Sequence, residues 1–122
     1  MQKSVAIIGG GPAGLMAAEI VSAQGRFAKV DVYDSMPSVG RKFLMAGKSG
    51  LNITHSDPFE VFVSRYGKRR KEIEPLLKQF GADELREWVH GLGIQTFIGT
   101  SGRVFPMGMK ASPLLRAWLG RL

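Results

Sequence analysis

The chain has 122 residues and no cysteine, which excludes disulfide bonds and cysteine-based metal or redox sites. Its formal net charge of +7 comes from 17 Lys and Arg against 10 Asp and Glu. The positive residues are scattered, and a glutamate ends the dense run KRRKE at residues 68–72. This pattern favours solvated faces and a phosphate-bearing ligand over a nucleic-acid surface. We therefore expect no nucleic-acid partner. Glycines 9–11 break the apolar N-terminal run, so we expect no membrane association and a cytoplasmic protein.

The first 33 residues predict a βαβ unit. Residues 4–8 are apolar and rich in β-branched side chains, which is typical of a strand buried on both faces. Residues 12–24 have apolar side chains at helical spacing, and Gly25 stands where a helix often ends. A second apolar run, residues 28–33, predicts the next strand.

A glycine-rich turn joins the predicted strand to the predicted helix. It consists of Gly9, Gly10, Gly11, Pro12, Ala13 and Gly14, which satisfy the pattern G-x-G-x-x-G. In such a turn Gly9 permits a tight bend, Gly11 admits a pyrophosphate, and Gly14 lets the helix pack against the strand. The N–H groups and the dipole at the helix start favour phosphate, and Pro12 costs little there. The turn therefore predicts a dinucleotide site.

An acidic residue follows the second predicted strand. Asp34 lies about 20 residues beyond Gly14, where a carboxylate accepts hydrogen bonds from ribose hydroxyl groups. We include the adjacent Ser35 in the predicted site.

Two later segments carry a family resemblance. They are GRKFLMAGKSGLNITH at residues 40–55 and GRVFPMGMKAS at residues 102–112. Together they resemble the aminoacetone oxidase-like flavoproteins, the BaiN/RdsA type of FAD-dependent oxidoreductases. The matching positions are Gly40, Arg41, Lys42, Gly47 and Asn52 in the first segment, and Gly102, Arg103, Phe105, Pro106, Lys110 and Ala111 in the second. The chain departs from the family pattern at Lys48, Ser49, Gly50 and Leu51, the last of which stands where the family has cysteine.

The resemblance implies that the cofactor is FAD. It implies that Arg41 and Lys42 lie along the pyrophosphate and that the loop from Gly47 to Asn52, including Ser49, approaches the flavin. Lys48 is a candidate replacement for the family's arginine. The flavin would accept a hydride from a substrate or from NAD(P)H and pass electrons onward. The residues identify no catalytic acid or base, no substrate and no metal ligand.

The remaining segments predict further elements. Residues 38–55 lack periodicity and predict a loop that carries function. Helices are predicted at residues 57–66, 71–80, 82–90 and 113–122, with Asp57 capping the first and Pro75 marking a restart in the second. Residues 94–106 predict a β-hairpin. We expect Trp88 and Trp118 to pack in the core, and His55 and His90 to have structural roles without carboxylate partners.

The sequence therefore predicts an α/β fold: a Rossmann-like βαβ dinucleotide-binding unit followed by helices and a β-hairpin. Two parallel strands are fewer than a complete FAD-binding domain contains, so we expect residues 1–122 to form the N-terminal part of such a domain. The family resemblance implies a separate substrate domain that is absent from this chain, so we expect the chain to be inactive alone. The alternative is a non-catalytic nucleotide-binding or partner-binding module. Such a chain could self-associate through free sheet edges.

Overall fold

The computed structural model describes residues 3–122. Its elements in chain order are β1 (Lys3–Ile8), α1 (Pro12–Ala23), β2 (Phe27–Tyr33), α2 (Arg41–Ala46), β3 (Thr54–His55), α3 (Phe59–Ser64), a 3₁₀ turn (Gly67–Arg69), α4 (Arg70–Gln79), α5 (Ala82–Gly91), β4 (Thr96–Ile98), β5 (Arg103–Pro106) and α6 (Ala111–Arg121). None of these helices combines the length and the apolar character needed to cross a membrane.

The predicted βαβ unit is confirmed. Strands β1 and β2 are parallel, with Val5 opposite Val30 and Ile7 opposite Val32. The crossover helix α1 buries Leu15 and Ala18. The prediction that β1 is buried on both faces is wrong: it has no buried residue, and Ile8 is 83% exposed. Within residues 3–122, β1 pairs only with β2, so much of its apolar surface is left uncovered.

A second sheet contains the predicted hairpin. Strands β4 and β5 are antiparallel, with Phe97 opposite Phe105, which confirms the hairpin. Strand β3 pairs antiparallel with β5 on its other side, giving the order β3-β5-β4. Residues 38–55, which were predicted to form a loop, therefore contain the short strand β3, and they also contain helix α2. Helix α2 forms because its six residues include good helix formers and its Phe43 packs against the core.

The helices between β3 and β4 differ in detail from the predictions. Pro58, not Asp57, is the N-cap of α3, because the Asp57 carboxylate pairs with Arg65 instead. Helix α4 is continuous through Pro75, so the predicted restart is wrong. At the start of helix α5, the Glu84 carboxylate accepts a hydrogen bond from the N–H of Gly81 at 2.9 Å and so caps the helix.

The core lies where α5 and α6 meet α1 and the loop after α2. Its buried residues form two clusters, one of Leu51, Val89, Ala111 and Leu114, the other of Leu15, Leu115 and Trp118. Trp88 and Trp118 meet edge to face with ring centroids 4.8 Å apart, which confirms their predicted packing role. This core fixes α1 and α2 relative to each other and so shapes the surface between them.

Candidate dinucleotide-binding site

The glycine turn has the geometry that the sequence predicts. Gly9 has φ of +109°, a value that favours glycine, and its N–H donates to the carbonyl oxygen of Tyr33 at 2.7 Å. A β-carbon on Gly14 would overlap the carbonyl oxygen of Gly9, so only glycine lets α1 approach the turn this closely. A β-carbon on Gly11 would meet no atom within 4 Å, so Gly11 faces open space. The turn thus combines tight packing at Gly14 with an open approach at Gly11.

Helix α1 presents unused hydrogen-bond donors at its start. Pro12 occupies the first turn, where its missing N–H costs no intrahelical bond. Within residues 3–122, the N–H groups of Gly11, Ala13 and Gly14 donate to no protein acceptor. No acidic side chain lies in the first turn to compete for them. These donors and the positive end of the helix dipole form a site suited to a phosphate.

Asp34 lies beside the glycine turn, where the sequence places it. Its Oδ2 accepts the N–H of Gly10 at 2.7 Å and its Oδ1 accepts the N–H of Met36 at 2.8 Å. The hydrogen bonds from Met36 and then Gly10, with a smaller contribution from the charge of Arg41, hold the pKa of the Asp34 carboxyl below its ordinary value of 3.8. The exposed carboxylate is therefore charged at neutral pH, and each oxygen retains capacity to accept another hydrogen bond.

A second loop closes the site on the other side of the turn. The N–H of Gly40 donates to the carbonyl oxygen of Gly10 at 2.7 Å, and Gly40 has φ of +72°. Leu115 packs against Gly40, where a β-carbon would lie 2.7 Å from its Cδ2. This contact sets the start of α2, so that Arg41 and Lys42 face the turn; Arg41 also donates from Nε to the hydroxyl of Ser38 at 3.1 Å.

These elements enclose a groove of about 210 Å³, here called the glycine-turn groove. It is lined by Gly10, Gly11, Pro12, Asp34, Met36, Ser38, Gly40, Arg41 and Lys42. The groove therefore combines backbone donors, two cations and one carboxylate, which is the chemistry that a pyrophosphate and its ribose require.

A larger apolar cavity of about 400 Å³ adjoins the groove, and we call it the helix cavity. It shares Pro12 and Lys42 with the groove. Its other lining residues are Met16, Phe43, Ala46, Leu51, Asn52, Ile53, Leu85, Trp88, Val89, Leu114 and Trp118. Within the described part of the chain, the buried indole N–H of Trp118 has no hydrogen-bond partner. The volume and the aromatic lining are those of a small-molecule site.

The two motifs that carry the resemblance meet in space. The N–H of Leu51 donates to the carbonyl oxygen of Met109 at 2.8 Å. Gly47 contacts Ala111 so closely that a β-carbon on Gly47 would lie 3.0 Å from the backbone nitrogen of Ala111. Leu51, at the family's cysteine position, is 5% exposed and belongs to the core. The two motifs thus pack against each other.

Some predicted site residues lie outside this arrangement. Ser35, Lys48 and Ser49 are exposed and do not line the glycine-turn groove or the helix cavity. Their roles toward a cofactor remain predictions. Met36 and Ser38 line the groove but were not predicted as site residues; their position within four residues of Asp34 was the signal available.

The two histidines have structural partners. The prediction that His55 lacks a carboxylate partner is wrong, because its Nδ1 lies 3.3 Å from Oδ2 of Asp57, only two residues away. Its Nε2 lies 3.0 Å from the carbonyl oxygen of Ser101. His90 Nε2 lies 2.7 Å from the hydroxyl of Thr96. Residues 3–122 contain no group of three or more histidine and acidic side chains that could hold a metal.

Comparisons with known proteins agree with the Rossmann-like fold. The family model described as HI0933-like protein Rossmann domain matches residues 3–122. A 3-dehydro-bile acid delta(4,6)-reductase from Clostridium scindens is 30% identical over 112 residues, which cover 91% of this chain and 26% of the relative. The chain therefore spans about a quarter of the length of that curated relative. These matches confirm the family resemblance predicted from the two motifs, and the chain belongs to the HI0933-like family through its Rossmann domain.

Proposed function

We propose that this chain is the FAD-binding portion of an oxidoreductase. The observation that carries the proposal is the free N–H group of Gly11, which lines a groove that also presents Arg41 and Lys42. The free N–H groups of Ala13 and Gly14 follow it in the first turn of α1. A pyrophosphate carries two negative charges and several acceptor oxygens, so it satisfies both the donors and the cations.

The groove and the cavity together fit a dinucleotide with a polar end and an aromatic end. Asp34 lies beside Gly10, and its carboxylate would accept hydrogen bonds from the ribose hydroxyl groups. Beyond Pro12 and Lys42, the helix cavity offers Phe43, Trp88 and other apolar side chains to a flat ring system. The residues present therefore fit FAD, and bound flavin would supply the hydride-accepting chemistry that no side chain provides.

The comparison with the relative supports the oxidoreductase part of the proposal. The Clostridium scindens protein is named as a reductase, and the chain aligns with about a quarter of it. We propose for residues 3–122 a role in holding and orienting the cofactor. The substrate-binding and catalytic groups of a complete enzyme would then come from elsewhere in a longer protein.

Titration calorimetry of the purified chain with FAD, ADP and FMN tests this function. We expect FAD to bind and to quench the fluorescence of Trp88 and Trp118, which line the helix cavity. We expect ADP to compete with FAD, because ADP carries the diphosphate and the ribose. FMN lacks the diphosphate and the adenosine of FAD and should bind far more weakly. Absence of FAD binding both by this chain and by a longer protein that contains it would refute the proposal.

A second candidate, a partner-binding or self-associating module, rests on the exposed face of the first sheet. Ile8 is 83% exposed and Tyr33 is 54% exposed, at the ends of strands that pair only with each other within residues 3–122. Sedimentation equilibrium tests it: a stable dimer that binds no dinucleotide would favour this function over FAD binding.

A further inference from the structure

Met109 adopts a backbone conformation that is uncommon for its residue type. Its φ is +66°, and it is the only residue other than glycine in the described range with positive φ. It closes a turn in which its N–H donates to the carbonyl oxygen of Pro106 at 2.9 Å and Gly108 has φ of +85°. A β-carbon disfavours this region of φ and ψ, so such residues persist only where the surroundings fix them, and they concentrate at functional sites.

Met109 contacts the loop that carries the first family motif. Its carbonyl oxygen accepts the N–H of Leu51 at 2.8 Å. Its Cε occupies the space beside Gly50, where a β-carbon would lie 2.8 Å away. Gly50 itself has φ of +130°, so its backbone has the wide freedom of glycine unless neighbours restrict it. Met109 supplies that restriction through both its backbone and its side chain.

The opposite side of the same loop faces the proposed ligand site. Leu51 and Asn52 line the helix cavity, which continues from the glycine-turn groove through Pro12 and Lys42. A shift of the Leu51 backbone would therefore change the wall against which a ring beyond the groove must pack. Met109, which is 36% exposed, does not itself line the cavity.

We infer that Met109 is a positioning residue for the dinucleotide site, an inference that rests on the proposed function. The surrounding turn holds Met109 at positive φ, and within that range its β-carbon permits only the narrow left-handed region, which fixes the direction of its carbonyl group. That carbonyl group holds the Leu51 amide, and the side chain covers Gly50. Together they keep the loop from residue 47 to residue 52 in one arrangement before the ligand arrives, so that binding does not have to order it.

The test compares Met109→Gly with the matched control Met109→Leu. Glycine relieves the backbone strain but frees the carbonyl group, whereas leucine keeps the β-carbon and a side chain of similar volume. In the glycine variant we expect hydrogen exchange of the Leu51 amide to accelerate about tenfold or more and the Kd for FAD to rise about tenfold, with no fall in Tm. In the leucine variant we expect both quantities to stay within about twofold of the wild-type values.

The two measurements separate this inference from the proposed function. Unchanged exchange at Leu51 in Met109→Gly would overturn the inference even if FAD binds normally. If the rise in the Kd for FAD is accompanied by a fall in Tm, or is the same in Met109→Gly and Met109→Leu, the role of Met109 is merely structural and the inference is overturned. If the wild-type chain binds no FAD, the proposed function and the ligand part of the inference both fail, while the exchange rates still decide whether Met109 holds the loop.

Discussion

The Asp34 carboxylate accepts a hydrogen bond from the N–H of Gly10 at 2.7 Å and so ties the end of β2 to the glycine turn after β1. This bond and the one from Met36 lower the pKa of Asp34. One side chain thereby shapes the turn and keeps a negative charge at the edge of the groove. The stability of the turn and its ability to bind a ribose should both depend on this charge.

Asp34→Asn should reveal that dependence through pH. A carboxyl group whose pKa is lowered in the folded state stabilises that state above its ordinary pKa of 3.8, and this contribution is lost as pH falls through the folded-state value. We therefore expect wild type to exceed Asp34→Asn in free energy of unfolding by a constant amount at pH 6–8, with the difference shrinking below about pH 4. Urea denaturation across this range measures it. A difference independent of pH down to pH 2 would contradict the role assigned to the charge.

Gly14→Ala should destabilise the fold. The new β-carbon would overlap the backbone carbonyl oxygen of Gly9, which cannot move without displacing β1 from α1. We expect a loss of at least about 2 kcal/mol in the free energy of unfolding, as for other overpacked sites. Urea denaturation followed by circular dichroism measures this loss. Gly120→Ala, at a helical glycine with no atom within 4 Å of the added carbon, is the control that should not destabilise.

Gly11→Ala should separate binding from folding. The added carbon would meet no protein atom within 4 Å, and Gly11 has φ of −82°, which alanine adopts freely. Since alanine is a poor N-cap residue, we expect a stability loss of under about 1 kcal/mol. The same methyl group would occupy the approach of a pyrophosphate, so FAD affinity should fall about tenfold or more. Calorimetry and thermal unfolding of one sample give both values, and unimpaired FAD binding would argue against a phosphate at this turn.

Removal of the cations beside the groove should weaken FAD binding in a salt-dependent manner. Arg41→Ala and Lys42→Ala each remove one charge near the expected pyrophosphate. We expect affinity to fall about threefold to tenfold at low ionic strength and less at 1 M salt, where the Debye length is about 3 Å. Lys71→Ala removes the same charge from the exposed surface of α4 and is the matched control. An equal effect from all three variants would indicate only a general charge effect.

Glu19 should be important for the packing of α1 against α5 and α6. Its Oε2 accepts the indole N–H of Trp88 at 2.8 Å, and its Oε1 lies 3.6 Å from Nη1 of Arg121. Glu19→Ala would leave the partly buried indole without its acceptor, for which we expect a loss of about 2 kcal/mol in unfolding free energy. Glu19→Gln retains a carbonyl oxygen and should lose less, while Glu87→Ala, at an exposed position on α5, should be nearly neutral. Chemical denaturation ranks the three variants, and an equal loss in all of them would contradict this assignment.

Much of the candidate site could be predicted from short sequence segments, because the backbone geometry of the turn requires particular residue types at particular positions. The succession of an apolar strand, a glycine-rich segment and a helix was sufficient to predict the turn at Gly9–Gly14. The spacing from Gly14 to Asp34 was sufficient to predict a carboxylate beside that turn. The structure places both where the sequence indicates. Helix α2 was missed because its six residues are too few to show helical periodicity, and its formation depends on Phe43 packing against a core built from distant elements.

The βαβ unit could be predicted from the amino-acid sequence, as could the glycine turn and the family, since these depend on residue types at fixed spacings. The folded structure was needed to show that Leu51 and Met109, which are 58 positions apart, hydrogen-bond to each other, and that the groove adjoins an apolar cavity between helices. It was also needed to show that β1 has no buried residue within residues 3–122. The physical reason is that long-range contacts and burial depend on which surfaces the folded elements bring together, and this information is not contained in any short stretch of the chain.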